Sequence, residues 1–88
     1  MSEIPMSNGD RVVVEPWDEA PSYRLRNLAR IAPDSRVVWR AGLPDGTGPD
    51  CFVAVRSEDG SLIAATWSGY SVVLDPAGGK RIGLSFVK

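Results

Sequence analysis

Residues 52–88 read FVAVRSEDGSLIAATWSGYSVVLDPAGGKRIGLSFVK, four short apolar runs separated by three turn signals. This pattern constrains the fold more than any other part of the chain. The runs cover 52–56, 62–67, 70–74 and 81–87, each of strand length and rich in β-branched and aromatic residues. Ser57-Glu58-Asp59-Gly60 supplies a glycine where a positive φ is needed, and Ser68-Gly69 is short enough for a tight hairpin. Asp75-Pro76-Ala77-Gly78-Gly79 closes the third turn. On the last run Ile82, Leu84 and Phe86 share one face, against Gly83, Ser85 and Val87 on the other. The stretch therefore predicts a four-stranded antiparallel meander with one dry and one wet face.

The preceding residues are read against that meander. Residues 1–10 are polar, with Pro5, Asn8 and Gly9, and are expected as a flexible N-terminal arm. Arg11-Val12-Val13-Val14-Glu15 is a β-branched run stopped by Pro16, and predicts a strand. Residues 16–22 carry two prolines and form a loop that holds Trp17. Residues 23–32 have two readings. In extended form Arg24, Arg26 and Arg30 share a face opposite Tyr23, Leu25, Ala29 and Ile31, with Asn27 interrupting the apolar side and Leu28 the arginine side. The alternative is a short helix over 19–26, with Ser22 as its N-cap. Pro33-Asp34-Ser35 is a turn signal and 36–40 a strong strand, so a hairpin of 27–32 with 36–40 requires the fewest assumptions. Residues 41–50, AGLPDGTGPD, form the longest loop. The expected fold is all-β, a single domain over 11–88. It is one antiparallel sheet or a small two-layer roll or sandwich of about six or seven strands.

Two segments echo each other: NLARIAPDSRVVWR from Asn27 and YSVVLDPAGGKRIGLS from Tyr70 share a strand, a proline, a polar turn, a basic residue and a strand. Pro33 and Pro76 lie 43 residues apart, inside the ~40–50 range of propeller-blade repeats. SGYSVVLDPAGGKRI resembles the outer hairpin of the blades in quinoprotein-type (PQQ-like) β-propellers, and the segment ending VVWRAGLP resembles the same hairpin of a preceding blade. The resemblance implies a blade-like meander over 52–88 behind a hairpin. It carries no cofactor residue to this chain, which holds less than two blades where a propeller needs at least about four.

Composition narrows the function. The chain has 88 residues, ten Lys and Arg against eleven Asp and Glu, no histidine and one cysteine. An internal disulfide is excluded, and so is a zinc site of Cys and His ligands. Without histidine the usual general base near neutral pH is missing, and Cys51 lacks the partner a thiol nucleophile needs. Asp18/Glu19 and Glu58/Asp59 are the carboxylate pairs left for acid–base work, but both sit in turns where acids are simply solvated. Asp45, Thr47 and Asp50 superficially resemble a calcium loop that has too few oxygen ligands. No metal and no cofactor is expected. The net charge of −1 argues against nucleic acid as a partner. No apolar run reaches membrane-span length and no signal-peptide pattern opens the chain, so a cytoplasmic location is expected.

Two features remain that could bind something. Five arginines and one acid, Asp34, lie between Ser22 and Arg40, a stripe suited to anionic surfaces. The competing reading is a solvated face, partly neutralised by other acids. Three tryptophans are many for so small a core. Trp39 and Trp67 are assigned to the core, while Trp17 and Tyr70 are candidates for a binding surface. The reading adopted is a small non-catalytic interaction protein, its enzymatic role uncertain, that pairs with itself as a dimer or with another protein. Its surface is drawn from Trp17, Tyr70, Arg24, Arg26, Arg30 and Asp50. A carbohydrate or small-ligand domain using Trp17, Tyr70 and the 44–50 loop is the alternative, and a carboxylate enzyme the third.

Overall fold

The computed structural model describes residues 3–17, 24–44 and 48–86. Its strands are β1 (Glu3–Pro5), β2 (Arg11–Val14), β3 (Leu28–Ile31), β4 (Val37–Arg40), β5 (Phe52–Glu58), β6 (Ser61–Thr66), β7 (Tyr70–Leu74) and β8 (Arg81–Phe86). They form two successive antiparallel meanders, one ordered β1-β2-β3-β4 and the other β5-β6-β7-β8. The fold is all-β, and the eighth strand is the one drawn from the expected loose arm. Ile4 and Pro5 pair with Val12 and Arg11. The reversal between them is closed by Met6 N–H donating to Asp10 O at 2.8 Å, with Gly9 at φ +93°. A polar segment can hold such a short edge strand because a β-branched neighbour, β2, supplies the ladder.

Residues 18–23 and 45–47 lie outside the described residues, so the helix considered over 19–26 is not settled by them. Arg24 forms an isolated parallel bridge with Asp50.

The turns follow their chemistry. Asp59 and Gly60 both have positive φ, 50° and 80°, and Glu58 pairs with Ser61 around them. That backbone matches the right-handed twist of the flanking strands. The β6–β7 connection differs from the expected two-residue loop. β6 stops at Thr66, whose Oγ1 accepts the Tyr70 N–H at 3.0 Å, while Gly69 turns at φ +102° and donates to Thr66 O. Trp67 thereby belongs to a three-residue loop rather than to the strand, and this is why it leaves the core.

Pairing fixes which side chains meet between the sheets. Ile4, Val12, Val14, Leu28 and Trp39 from the first sheet, with Ala41 and Leu43 just after it, pack on Phe52, Val55, Leu62, Ala64, Val72 and Leu74 of the second. Full burial of a side chain such as Phe52 contributes about 2–3 kcal/mol. A small second cluster, Val13, Ala29 and Ile31, occupies the opposite face of the first sheet. A bulge between Arg30 and Ile31 makes Val38 the extra residue of β4, and Val37 and Val38 are both exposed. Among the described residues no helix is long and apolar enough to cross a membrane.

Candidate interaction surface

Four of the five arginines expected to form a stripe, all but the exposed Arg36, are spent on the architecture. Arg24 donates from Nη2 to Pro44 O at 2.9 Å. Arg26 reaches Ala41 O and Arg40 O, and Arg40 reaches back to Arg26 O while pairing with Glu15. The two side chains thus clamp each other's backbone where β3 begins and β4 ends. Arg30 lies on the inner face beside Trp39 and Val12. Its Nε pairs with Asp10 at 2.8 Å, the two side chains only 14% and 10% exposed. Its Nη1 also donates to Pro76 O at 2.8 Å, and Trp39 Nε1 donates to the same oxygen at 2.8 Å. One carbonyl of the β7–β8 turn therefore holds two donors of the first sheet. A guanidinium with five N–H donors can bind a carboxylate and a carbonyl at once, which an ammonium on a flexible stem does poorly.

Asp50 is fully buried, and its carboxylate works inside the fold. Oδ1 accepts the backbone N–H of Cys51 and of Ser68, and Oδ2 accepts the Ser68 hydroxyl at 2.6 Å. It ties the entry of β5 to the β6–β7 loop. Burial, and secondarily the neighbouring Asp50 charge, pushes the Cys51 thiol up from its ordinary pKa. That makes it a poor nucleophile. Trp17 and Tyr70 are partly buried and pack against the core. Trp39 is a core residue at 8% exposure, whereas Trp67, assigned to the core from the sequence, is 52% exposed. The six residues proposed from the sequence are thus not gathered on one surface. Arg24 meets Pro44 and Asp50 at one end of the sandwich, Arg30 lies between the sheets near Pro76, and Asp50 reaches no surface.

Asn27 is a residue the sequence reading passed over. It is buried, donates to Glu15 O and Phe52 O, and accepts from Phe52 N–H at 2.8 Å. A side-chain amide presents one donor group and one acceptor in the spacing of a peptide, so it can substitute for a strand partner across a gap. Its interruption of an apolar face was the available signal.

What the fold leaves open is the side of the sandwich at β8. β1 and β2 lie against β5, so the first sheet covers the second from that edge inward. Leu84 pairs with Val72 and shares its face, yet Val72 is fully buried and Leu84 is 46% exposed. Ile82, the extra residue of a bulge opposite Leu74, is 59% exposed. β8 is also an edge, with one ladder side unpaired among the described residues. At its start an open cleft of about 340 Å³ is lined by Gly42, Leu43, Leu74, Gly79, Lys80 and Arg81. Lys80 and Arg81 are exposed and have no ion-pair partner among the described residues. Aliphatic side chains, free backbone groups and two cations thus converge on one seam.

No curated protein and no solved structure matches the chain. Residues 5–86 match a family described as a domain of unknown function, DUF7957, and the chain belongs to that family.

Proposed function

We propose that this domain is a non-catalytic interaction module that receives another polypeptide along β8, either a second copy or a different protein. The observation that carries the reading is Leu84: it shares a face with the wholly buried Val72 but has nearly half its surface open. An edge strand with aliphatic side chains on its inner face offers both ladder hydrogen bonds and apolar area, the two contributions that make strand addition favourable. Native edges are usually blunted. Here the bulge at Ile82 disturbs the start of β8, and Gly83, Leu84 and Ser85 continue without a charged residue.

The reading is tested by placing a photo-crosslinking phenylalanine analogue at position 82 or 84 and irradiating cells of the natural host. Discrete protein adducts at these two positions, and none at the exposed Ser57 on β5, are expected. No adduct at either position, or equal adducts at Ser57, would remove the proposal.

A further inference from the structure

We infer that the segment received at β8 is an extended stretch of a different protein carrying an acidic residue and an aliphatic residue two positions apart. The inference rests on β8 being the working edge and names the chemistry of its partner. Arg81 pairs with Leu74 and Leu84 with Val72. Leu74 and Val72 are two apart on β7, so Arg81 and Leu84 are successive positions on one face, about 7 Å apart once the bulge has absorbed Ile82. A strand added beside β8 presents its own alternate residues at the same spacing. One of these lands beside Arg81, at the mouth of the cleft, and the next beside Leu84.

The cleft decides the sign of the first. It has room for a carboxylate side chain, and Lys80 and Arg81 line it beside Leu43 and Leu74. Asp75, the acid of the same turn, is engaged through Oδ1 by the Ala77 N–H. An incoming carboxylate therefore meets two cations without an ion-pair partner among the described residues. Leu84 and Ile82 decide the second, because only an apolar side chain gains by covering them.

Charge also argues against a second copy. β8 reads RIGLSF and has no acidic residue, so antiparallel pairing with itself brings nothing to neutralise Arg81 or Lys80. A nucleic-acid backbone would meet the cations but leave Ile82 and Leu84 uncovered, on a chain whose net charge is −1.

The probe is a fluorescein-labelled peptide, TETVTVT, with two controls: TKTVTVT, which reverses the charge, and TETNTNT, which removes the aliphatic residues. Anisotropy should show TETVTVT bound at least about tenfold more tightly than either control, and more weakly as salt rises. Arg81→Glu should abolish the preference between the acidic and lysine peptides, and Lys80→Glu with Arg81→Glu should reverse it. Leu84→Asn should weaken both while leaving the melting temperature near that of the wild type, since the side chain is half exposed. Equal affinity for the acidic and lysine peptides, no binding of TETVTVT up to about 1 mM, or an unchanged ranking in Arg81→Glu would overturn the inference. A dimer in sedimentation that Leu84→Asn splits would identify a second copy as the occupant. It would overturn the acidic partner while sparing the interaction reading. Loss of that reading itself is reported separately, by the absence of crosslinks at 82 and 84.

Discussion

Asn27 holds two strands of different sheets at once, through Glu15 O on the side of β2 and both backbone groups of Phe52 on β5. Removing its amide would leave these groups buried without partners, at about 1–3 kcal/mol for each one that water cannot reach. Asn27→Ala is therefore expected to lose about 3 kcal/mol, read as a lower denaturation midpoint with an unchanged slope. Cys51 gives a second test at this scale. Burial and the Asp50 charge raise its folded pKa, so the folded state keeps a proton that the unfolded chain releases above about pH 8.5. Its contribution is complete below that pH and is lost as pH rises through the folded value. Melting temperatures from pH 7 to 10 should fall more steeply for the wild type than for Cys51→Ala. Single residues were only partly legible in the sequence. A lone amide on an apolar face signals its need for a partner but not which strand supplies it. Asp50 looked like a surface acid because its partner, Ser68, is 18 positions away.

At the scale of elements, hydrophobic alternation and turn residues carried most of the information. The meander of β5 to β8 was readable because each turn has its own glycine, but the bulges at Phe52–Ala54 and opposite Leu74, which shift its register, carried no sequence signal. β1 was not readable, since a three-residue strand owes its existence to β2 rather than to its own composition. Trp67 failed for a related reason: whether it ends a strand or begins a loop depends on the Thr66 hydroxyl capturing the Tyr70 N–H. The β7–β8 turn shows how an element is fixed from outside. Gly79 has φ +73°, and a Cβ there would lie 2.5 Å from Trp39 Cδ2, whereas the same atom at Gly60, φ +80°, meets nothing within 4 Å. Gly60→Ala should cost only the backbone term, about 1 kcal/mol. Gly79→Ala should cost about 3 kcal/mol or more and perturb Trp39 fluorescence, because both the backbone and the ring must move. Equal losses at the two glycines would mean that the turn is not docked on Trp39.

Among the described residues, hydrogen bonds join the two sheets at well-separated places, Asn27 with Phe52 and the pair Arg30 and Trp39 with Pro76. The arginine stripe expected from the sequence is largely this second joint and the Arg26–Arg40 clamp. Like-charged residues brought together by alternation point to a common function only if the fold leaves them free. Arg30→Ala should strand the buried Asp10 carboxylate and leave Pro76 O held by Trp39 Nε1 alone, loosening the turn. A loss of about 2–4 kcal/mol is expected, with hydrogen exchange at the Gly79 and Asp75 amides rising well before that of β6. Synchronous exchange of all strands would instead place the joint inside one global unfolding unit. Two fixings have a mechanical consequence. A plate riveted at one point can swing, but one riveted at two cannot pivot about either. The gap beside β8 is then a slot of set width rather than a jaw, so the partner proposed for it would be gauged for thickness as well as for the charge that Lys80 and Arg81 select at its mouth.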